Sequence, residues 1–264
     1  MSTRMPAIFL GHGTPMNAIE DNAFRRAWVG LASHLPRPRA ILCISAHWET
    51  RGVALTAAAR PETIHDFYGF PPELFAVQYP APGDPELAQT AANLLAPWGA
   101  RLDARRGLDH GSWSVLRPMY PRADVPVVQL GLDTNEPASF HYELAQRLAP
   151  LRDQGVLILG SGNIVHNLQL LDYRRGDGFD WAARFDREVK SRIEARDHDA
   201  LIRYDELGDD ARQAVPTPEH YLPLLYVLAL QDGPERASFF NDRAVMGSIS
   251  MTSVIVGELT GAAD

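Results

Sequence analysis

Short apolar runs that alternate with longer segments of helical spacing are the feature of this sequence that most constrains its fold. The runs are rich in Val, Ile and Leu and are bounded by Gly, Pro or charged residues. Such runs are typical of interior strands in a largely parallel sheet, because these strands are buried on both faces. The predicted strands are residues 7–10, 40–44, 53–56, 125–130, 156–159 and 248–256.

The segments between these runs repeat their apolar residues every three or four positions, as on one face of a helix. Asp84 followed by Pro85 suits an N-cap and a first helical position. The predicted helices are residues 21–34, 85–95, 113–120, 136–148, 181–195 and 219–230. Because strands and helices alternate, the sequence predicts a single α/β domain over residues 1–264. Its central sheet is expected to be mostly parallel or mixed, with helices on both faces.

Charge, apolar run length and cysteine content restrict the partners and the compartment. The formal net charge is -8 and no Lys/Arg-rich run occurs, which argues against nucleic acid as a partner. The apolar runs are far shorter than the roughly 20 residues of a membrane span. Cys43 is the only cysteine and lies in a predicted strand, where a buried, unreactive thiol is expected. This cysteine usage predicts a reducing, cytoplasmic location.

One long segment, residues 62–85, is rich in proline and aromatic residues. Proline disfavours regular structure here, yet the aromatic side chains need to be covered. The segment is therefore predicted to be an ordered loop packed over a site, since a linker between domains would be more polar. His65 lies in this loop beside Asp66, which leaves a role in contacting substrate open.

Four of the nine histidines occupy positions where an α/β sheet builds its ligand crevice. His12, His47 and His166 each follow a predicted strand, and His220 opens a predicted helix behind two prolines. Neutral imidazole is the commonest metal ligand in proteins, and ligands on separate strand ends can converge. A single histidine of this kind is usually structural. The residues alone therefore leave a divalent metal site and four unrelated structural histidines as equal alternatives.

The remaining histidines and the glycine motifs are less specific. His110 lies between Asp109 and Gly111, where it can be an acid/base or substrate-binding group, or part of a cap for a helix starting at Ser112. His141 and His198 lie in polar helical segments and are predicted to be solvated. The sequence has no complete dinucleotide fingerprint, nucleophile elbow or phosphate loop.

Six blocks of the sequence together resemble the 4,5-DOPA extradiol dioxygenase family, which belongs to the class III extradiol ring-cleavage dioxygenases. The blocks follow one another over nearly the whole chain, which makes the resemblance more specific than any single motif. They are residues 11–15, 45–49, 65–71, 108–111, 162–167 and 218–223.

The resemblance implies a metal-dependent enzyme that opens the ring of a catechol, a small aromatic diol, with O2. It implies one divalent metal, Fe(II) in the working oxygenase or Zn(II) as commonly bound. The sequence leaves the oligomeric state open between a monomer and a dimer. By position in the blocks, His12, His47 and His220 bind the metal, and His166 is either a further metal ligand or a catalytic acid/base. His110 is a catalytic residue that also contacts substrate or oxygen; His65 and Phe70 are substrate-binding residues.

One departure from the better-studied ring-cleaving relatives keeps two alternatives open. Those relatives bind iron through two histidines and one carboxylate, whereas His220 stands at the third position here. An all-histidine site suits zinc, and a d10 ion cannot support oxygenation. The alternatives are a zinc hydrolase with Glu49 or Glu219 as base, and a non-enzymatic binding protein on the same scaffold.

Overall fold

A mixed eight-stranded sheet forms the centre of the structure, a computed structural model that describes residues 4–259. The predicted domain of residues 1–264 also includes residues 1–3 and 260–264, which lie outside the described part. The strands are β1 (Ala7–Gly11), β2 (Ala40–Glu49), β3 (Ala54–Thr56), β4 (Arg101–Asp103), β5 (Val127–Leu132), β6 (Val156–Gly162), β7 (Ala237–Phe240), β8 (Ala244–Val245), β9 (Ile249–Ser250) and β10 (Ser253–Val256).

The strand order is β4-β3-β5-β2-β6-β1-β10-β7, and β8 pairs with β9 in a separate small sheet. The four central strands, β5, β2, β6 and β1, run parallel to one another. Antiparallel pairings join β3 to β5, β1 to β10 and β10 to β7. Within the parallel centre, Gly11 lies opposite Gly162 and Ser45 lies opposite Ser161. The carboxyl ends of β1, β2 and β6 therefore lie side by side at one edge.

The helices connect these strands and cover both faces of the sheet. Side chains alternate along a strand, so Phe9 packs into one apolar core while Ile8 and Leu10 pack into the other. The helices are α1 (Ala23–His34), α2 (Pro72–Phe75), α3 (Pro85–Leu94), α4 (His110–Met119), α5 (Ala138–Gln146), α6 (Ala149–Asp153), α7 (Asp180–Ala195), α8 (His198–Ile202), α9 (Asp209–Ala214) and α10 (Leu222–Leu228).

The two apolar cores belong to different helices. The core on the Phe9 side contains buried residues of α3, α5, α7 and α10. The opposite core contains Trp28 of α1 and Trp113 of α4, together with Cys43 of β2. The predicted α/β class, with a mixed central sheet and helices on both faces, is confirmed. Cys43 is fully buried as predicted, and burial raises the pKa of its thiol.

Several predicted boundaries are wrong, and each error has a local cause. The strand predicted at residues 40–44 continues to Glu49, across an irregularity in its pairing with β5. The strand predicted at 248–256 is split into β9 and β10, where the chain leaves one sheet and enters the other. The helix predicted at 219–230 starts only at Leu222, because residues 216–221 form turns. Strands β4 and β7 were missed because both are short and partly exposed.

Among the described residues, no helix is both long enough and apolar enough to cross a lipid bilayer.

Candidate metal centre and active site

Three histidines from distant parts of the chain converge at the carboxyl edge of the parallel strands. His12 follows β1, His47 lies in the last part of β2, and His220 lies between α9 and α10. One ring nitrogen from each lies within 4.8 Å of those of the other two. The Nε2 atoms of His12 and His47 are 3.3 Å apart. Two nitrogens bound to one tetrahedral zinc ion at about 2.0–2.1 Å would be separated by roughly the same distance.

Backbone packing at two glycines places these rings. A side chain at Gly162 would collide with the carbonyl oxygen of His220, so glycine allows the His220 segment to lie against the end of β6. The amide of Asn163 then donates to that same carbonyl oxygen at 2.8 Å. After β1, Gly13 adopts a positive φ of 60°, a conformation that favours glycine and turns the chain directly after His12.

A hydroxyl group orients the ring of His12. The hydroxyl of Ser161 donates to the carbonyl oxygen of Gly111 at 2.6 Å. Its oxygen lies 3.0 Å from His12 Nδ1 and is therefore left to accept from that nitrogen. This arrangement places the ring proton on Nδ1 and leaves the Nε2 lone pair facing His47.

Burial keeps the three imidazoles neutral. Removal from water lowers the pKa of His12 and of His220 well below the usual histidine value, and neighbouring histidines lower it further. The pKa of His47 is lowered by burial and then by the nearby His110. His220 Nε2 is buried without a hydrogen-bond partner among the described residues. Neutral nitrogens with free lone pairs are the donors that a divalent metal requires, so this cluster fits one such ion.

His166 lies beside the three converging nitrogens. Its amide donates to the carbonyl oxygen of Ala214 at 2.8 Å, which ties the loop after β6 to the segment before His220. The ring stacks on that of His220, with centroids 3.4 Å apart and planes 7° from parallel. Its nitrogen groups with Glu219 and His220 instead of with His12 and His47. Burial lowers the pKa of His166 to about 4, so the ring is neutral and able to accept a proton at neutral pH.

His110 lies beside His47, at the edge of the cluster. It is the first residue of α4, capped by Asp109, whose side chain accepts from the Ser112 amide. The helix therefore starts earlier than predicted, and Asp109 caps it. The His110 ring lies 3.8 Å from that of His47, centroid to centroid. The Asp66 carboxylate accepts from the His110 amide at 2.9 Å and lies 3.0 Å from its Nδ1.

Asp66 responds electrostatically to this contact. Burial alone would raise the pKa of its carboxyl group, but the hydrogen bond from the His110 amide and the nearby His110 ring outweigh burial and lower it. Asp66 was not among the predicted site residues, although it follows His65 in the proline- and aromatic-rich segment. The Asp66–His110 pair joins residues 62–85, called the aromatic loop below, to the start of α4 beside His47.

A buried polar network beneath His47 was also missed. Asp109, fully buried, accepts hydrogen bonds from Ser45 at 2.7 Å and from the Gln129 side chain at 2.7 Å. The Ser45 hydroxyl oxygen in turn accepts from the His47 amide at 3.2 Å. These residues come from β2, β5 and the start of α4, so the network fixes the end of β2 relative to its neighbours.

The aromatic loop covers this side of the site, as its composition predicted. Phe67 contacts the His110 ring edge-to-face at 5.5 Å and contacts Phe70 at 5.3 Å. His65 packs near Phe67 and Trp113, and its Nε2 lies 2.9 Å from the carbonyl oxygen of Val77. The structure thus places Phe67 against the histidine cluster, with Phe70 behind it, and gives His65 a contact within the loop.

The prediction that His141 and His198 are solvated is wrong for His141. His141 is fully buried between α5 and α10, with Nδ1 3.0 Å from the Tyr226 hydroxyl and Nε2 3.1 Å from the Asp133 carbonyl oxygen. His198 is partly buried, and its Nδ1 lies 2.8 Å from the hydroxyl of Tyr142. Each histidine lies on the side of its helix that packs against the rest of the protein. The polar residues around it in the sequence gave no indication of this burial.

Burial of His141 predicts a pH-dependent stability. Desolvation lowers its pKa to about 4, while the Asp133 backbone and charge partly oppose that shift. The unfolded chain takes up this proton near pH 6.5. The stabilisation is therefore complete above about pH 6.5 and decreases as the pH falls towards 4, by up to about 3 kcal/mol.

Urea denaturation at pH 7.0 and 5.0 tests this prediction. The free energy of unfolding should fall more for the wild type than for His141→Gln, which cannot titrate. An equal decrease in both proteins would show that His141 does not contribute.

Comparisons with known proteins show the family to which the chain belongs. Residues 6–256 match the family model described as the catalytic LigB subunit of aromatic ring-opening dioxygenase. The chain therefore belongs to this family and is an oxidoreductase, an extradiol aromatic ring-opening dioxygenase.

Individual relatives are similar along nearly their full length. A 4,5-DOPA dioxygenase extradiol from Escherichia coli K12 is 49% identical, over 97% of this chain and 96% of the relative. One of the same name from Beta vulgaris is 38% identical, over 93% and 96%. The crystal structure of an uncharacterized protein from E. coli K12 has a TM-score of 0.84 and 45% identity, covering 96% of this chain and all of that one.

Proposed function

We propose that the protein opens the ring of a catechol with O2 at one divalent metal ion held by His12, His47 and His220. The observation that carries this proposal is the convergence of three neutral imidazoles whose ligand nitrogens lie within 4.8 Å of one another. A dioxygenase of this family needs an open metal position, and three protein ligands leave room for substrate and oxygen.

The metal that suits this reaction is Fe(II). Bound there, it would supply the electron exchange between catechol and dioxygen that ring opening requires. Zn(II) would fit the same three nitrogens but has no accessible redox change, so the zinc-loaded protein should be inactive.

His166 is proposed as the acid/base and not as a fourth ligand. Its ring is stacked beside His220, and it is neutral at pH 7 because burial holds its pKa at about 4. A neutral imidazole next to the bound diol can accept a hydroxyl proton and return it to the opened product. Its backbone hydrogen bond to Ala214 keeps the loop in place during this transfer.

The opposite wall is proposed to hold the aromatic ring and oxygen. His110, oriented by Asp66, presents a polar group beside His47. Phe67 and Phe70 provide apolar surface that would cover the substrate and exclude water. The roles of Phe70 and His65 in substrate binding stay predictions, with His65 acting through the loop that it ties to Val77.

The substrate class follows from the names of the relatives. Those that match over nearly the full length are named for 4,5-DOPA, so we propose a DOPA-like catechol. We also propose that one catalytic domain extends over residues 1–264. We further propose that the protein functions in the cytoplasm.

The carboxylates required by the zinc-hydrolase alternative are already engaged. Glu49 is exposed and accepts from the Thr134 hydroxyl, while Glu219 accepts from Thr217 and contacts His220. A base for metal-bound water would need a free carboxylate beside the three nitrogens. Neither Glu49 nor Glu219 meets this requirement. Membership of a dioxygenase family also disfavours a protein that only binds ligands.

Oxygen uptake by metal-reconstituted protein tests the proposed function. Protein stripped of metal and loaded anaerobically with Fe(II) is mixed with L-DOPA or simple catechols in air. We expect Fe(II)-dependent oxygen consumption and a yellow semialdehyde product, and no uptake by protein loaded with Zn(II). Absence of uptake across the substrate panel, in protein shown to hold Fe(II), would overturn the proposal.

A further inference from the structure

A carboxylate lies directly behind the ring of His220. Glu219 Oε1 is 3.1 Å from His220 Nδ1 and also accepts from the Thr217 hydroxyl at 2.8 Å. The side chains of Glu219 and His220 are only 18% and 7% exposed. Water therefore screens this contact less than it would on an open surface.

The contact fixes where the ring proton of His220 lies. An ionised carboxylate accepts hydrogen bonds and cannot donate them. The proton of the neutral imidazole therefore lies on Nδ1, and the lone pair of Nε2 is directed away from Glu219. That Nε2 is the buried atom without a partner among the described residues. One ring nitrogen of His220 lies within 4.8 Å of nitrogens of His12 and His47, and Nε2 is the nitrogen left free for a metal once Nδ1 is engaged by Glu219.

His12 provides the contrast within the same site. Its Nδ1 contacts the hydroxyl of Ser161, a neutral group whose own proton is directed to Gly111. Both contacts select the same tautomer, but only the one at His220 brings a negative charge. A carboxylate behind a ligating imidazole makes the ligand more basic, whereas a hydroxyl mainly orients it.

We propose that Glu219 is a positioning residue that delivers negative charge to the metal centre through the His220 ring. The inference rests on the proposed function, in which His220 is a metal ligand. In a site with two histidines and one carboxylate, the carboxylate contributes its charge by binding the metal itself. Here the His220–Glu219 pair takes that position, with the charge one imidazole ring further away.

The surrounding contacts keep this pair together. The Asn163 amide holds the His220 carbonyl oxygen, and the His166 ring covers one face of the His220 imidazole. The hydroxyl of the exposed Thr217 donates to the same carboxylate oxygen. Because both partners are restrained, the hydrogen bond does not depend on a mobile surface side chain.

The decisive variant is Glu219→Gln, because the amide oxygen can still accept from Nδ1 while the charge is lost. We expect the Fe(III)/Fe(II) potential of the loaded protein to become more positive, since less negative charge stabilises the ferric ion less. We also expect the affinity for Zn(II) to fall about 10- to 100-fold. Redox titration followed by electron paramagnetic resonance and competition with a chelator measure these two quantities.

Two controls separate charge from structure. Glu194→Gln removes the same charge from the exposed end of α7 and should leave potential and affinity unchanged. Thr217→Val removes the second partner of Glu219 but keeps the carboxylate, so the potential should stay near that of the wild type. An unchanged potential and affinity in Glu219→Gln would overturn the inference.

The wild type alone provides a test if Glu219→Gln does not fold. In zinc-loaded protein with 15N-labelled histidine, nuclear magnetic resonance should show His220 protonated at Nδ1 with a low-field ring proton. A His220 ring protonated at Nε2, or deshielded no more than that of His12, would overturn the inference. Failure of the wild type to bind Fe(II) or Zn(II) would instead refute the proposed metal site itself.

Discussion

Replacing His12 with alanine is expected to abolish ring opening and to weaken metal binding more than about 100-fold, beyond the usual effect of losing an outer-shell partner. The variant leaves two of the three converging imidazoles, and two neutral ligands hold a divalent ion poorly. It also leaves the Ser161 hydroxyl oxygen without the ring nitrogen 3.0 Å away. Metal content after dialysis and oxygen uptake with excess Fe(II) measure the two effects.

An exposed histidine provides the matched control for His12→Ala. His34 lies at the end of α1 and is exposed. His34→Ala should keep both metal content and oxygen uptake. The prediction fails if His12→Ala, folded by circular dichroism, still holds one metal ion per chain after dialysis.

Replacing His166 with alanine is expected to reduce turnover by about 10²- to 10⁴-fold while the metal stays bound. The ring is stacked against His220, and its nitrogen groups with Glu219 and His220 and not with the set of His12, His47 and His220. Loss of this ring should therefore remove a proton acceptor and leave the three ligands in place. The Fe(II) content and the rate of oxygen uptake at saturating catechol test both parts.

Metal content also decides between the two roles open to His166. Loss of the metal together with activity would make His166 a ligand and contradict the acid/base assignment. Retention of full turnover would show that another group takes the substrate proton. His198→Ala, in the partly buried pair with Tyr142, serves as a control for histidine loss outside the site.

Strand polarity is the reason why the sequence could indicate a convergence of His12 and His47, although the residues alone left unrelated structural histidines as an equal alternative. His12 and His47 lie at or after the carboxyl ends of parallel strands, and these ends meet at one edge of the sheet. His220 lies outside the sheet. Its position depends on Gly162, which leaves room for its carbonyl oxygen, and on the Asn163 amide, which donates to that oxygen. The glycine was visible in the sequence, but its partner was not.

The partners of the histidines could not be predicted, because they depend on contacts between segments far apart in the chain. Ser161 reaches both His12 and Gly111, and Asp66 reaches His110. Neither the periodicity nor the composition of the sequence indicates these contacts. The same reason explains the error at His141, which lies in a polar helix and is buried by Tyr226 of another helix.

The position of β1 links the proposed metal site to the order in which the chain is synthesised. This strand, which leads directly into His12, pairs with β6 on one side and with β10 on the other, so that Ala7 lies opposite Val256. A nascent chain that stops before residue 253 already contains every proposed ligand, yet one edge of the strand before His12 has no neighbour. Unpaired strand edges recruit other chains. Truncated products should therefore aggregate instead of accumulating as partly active enzyme.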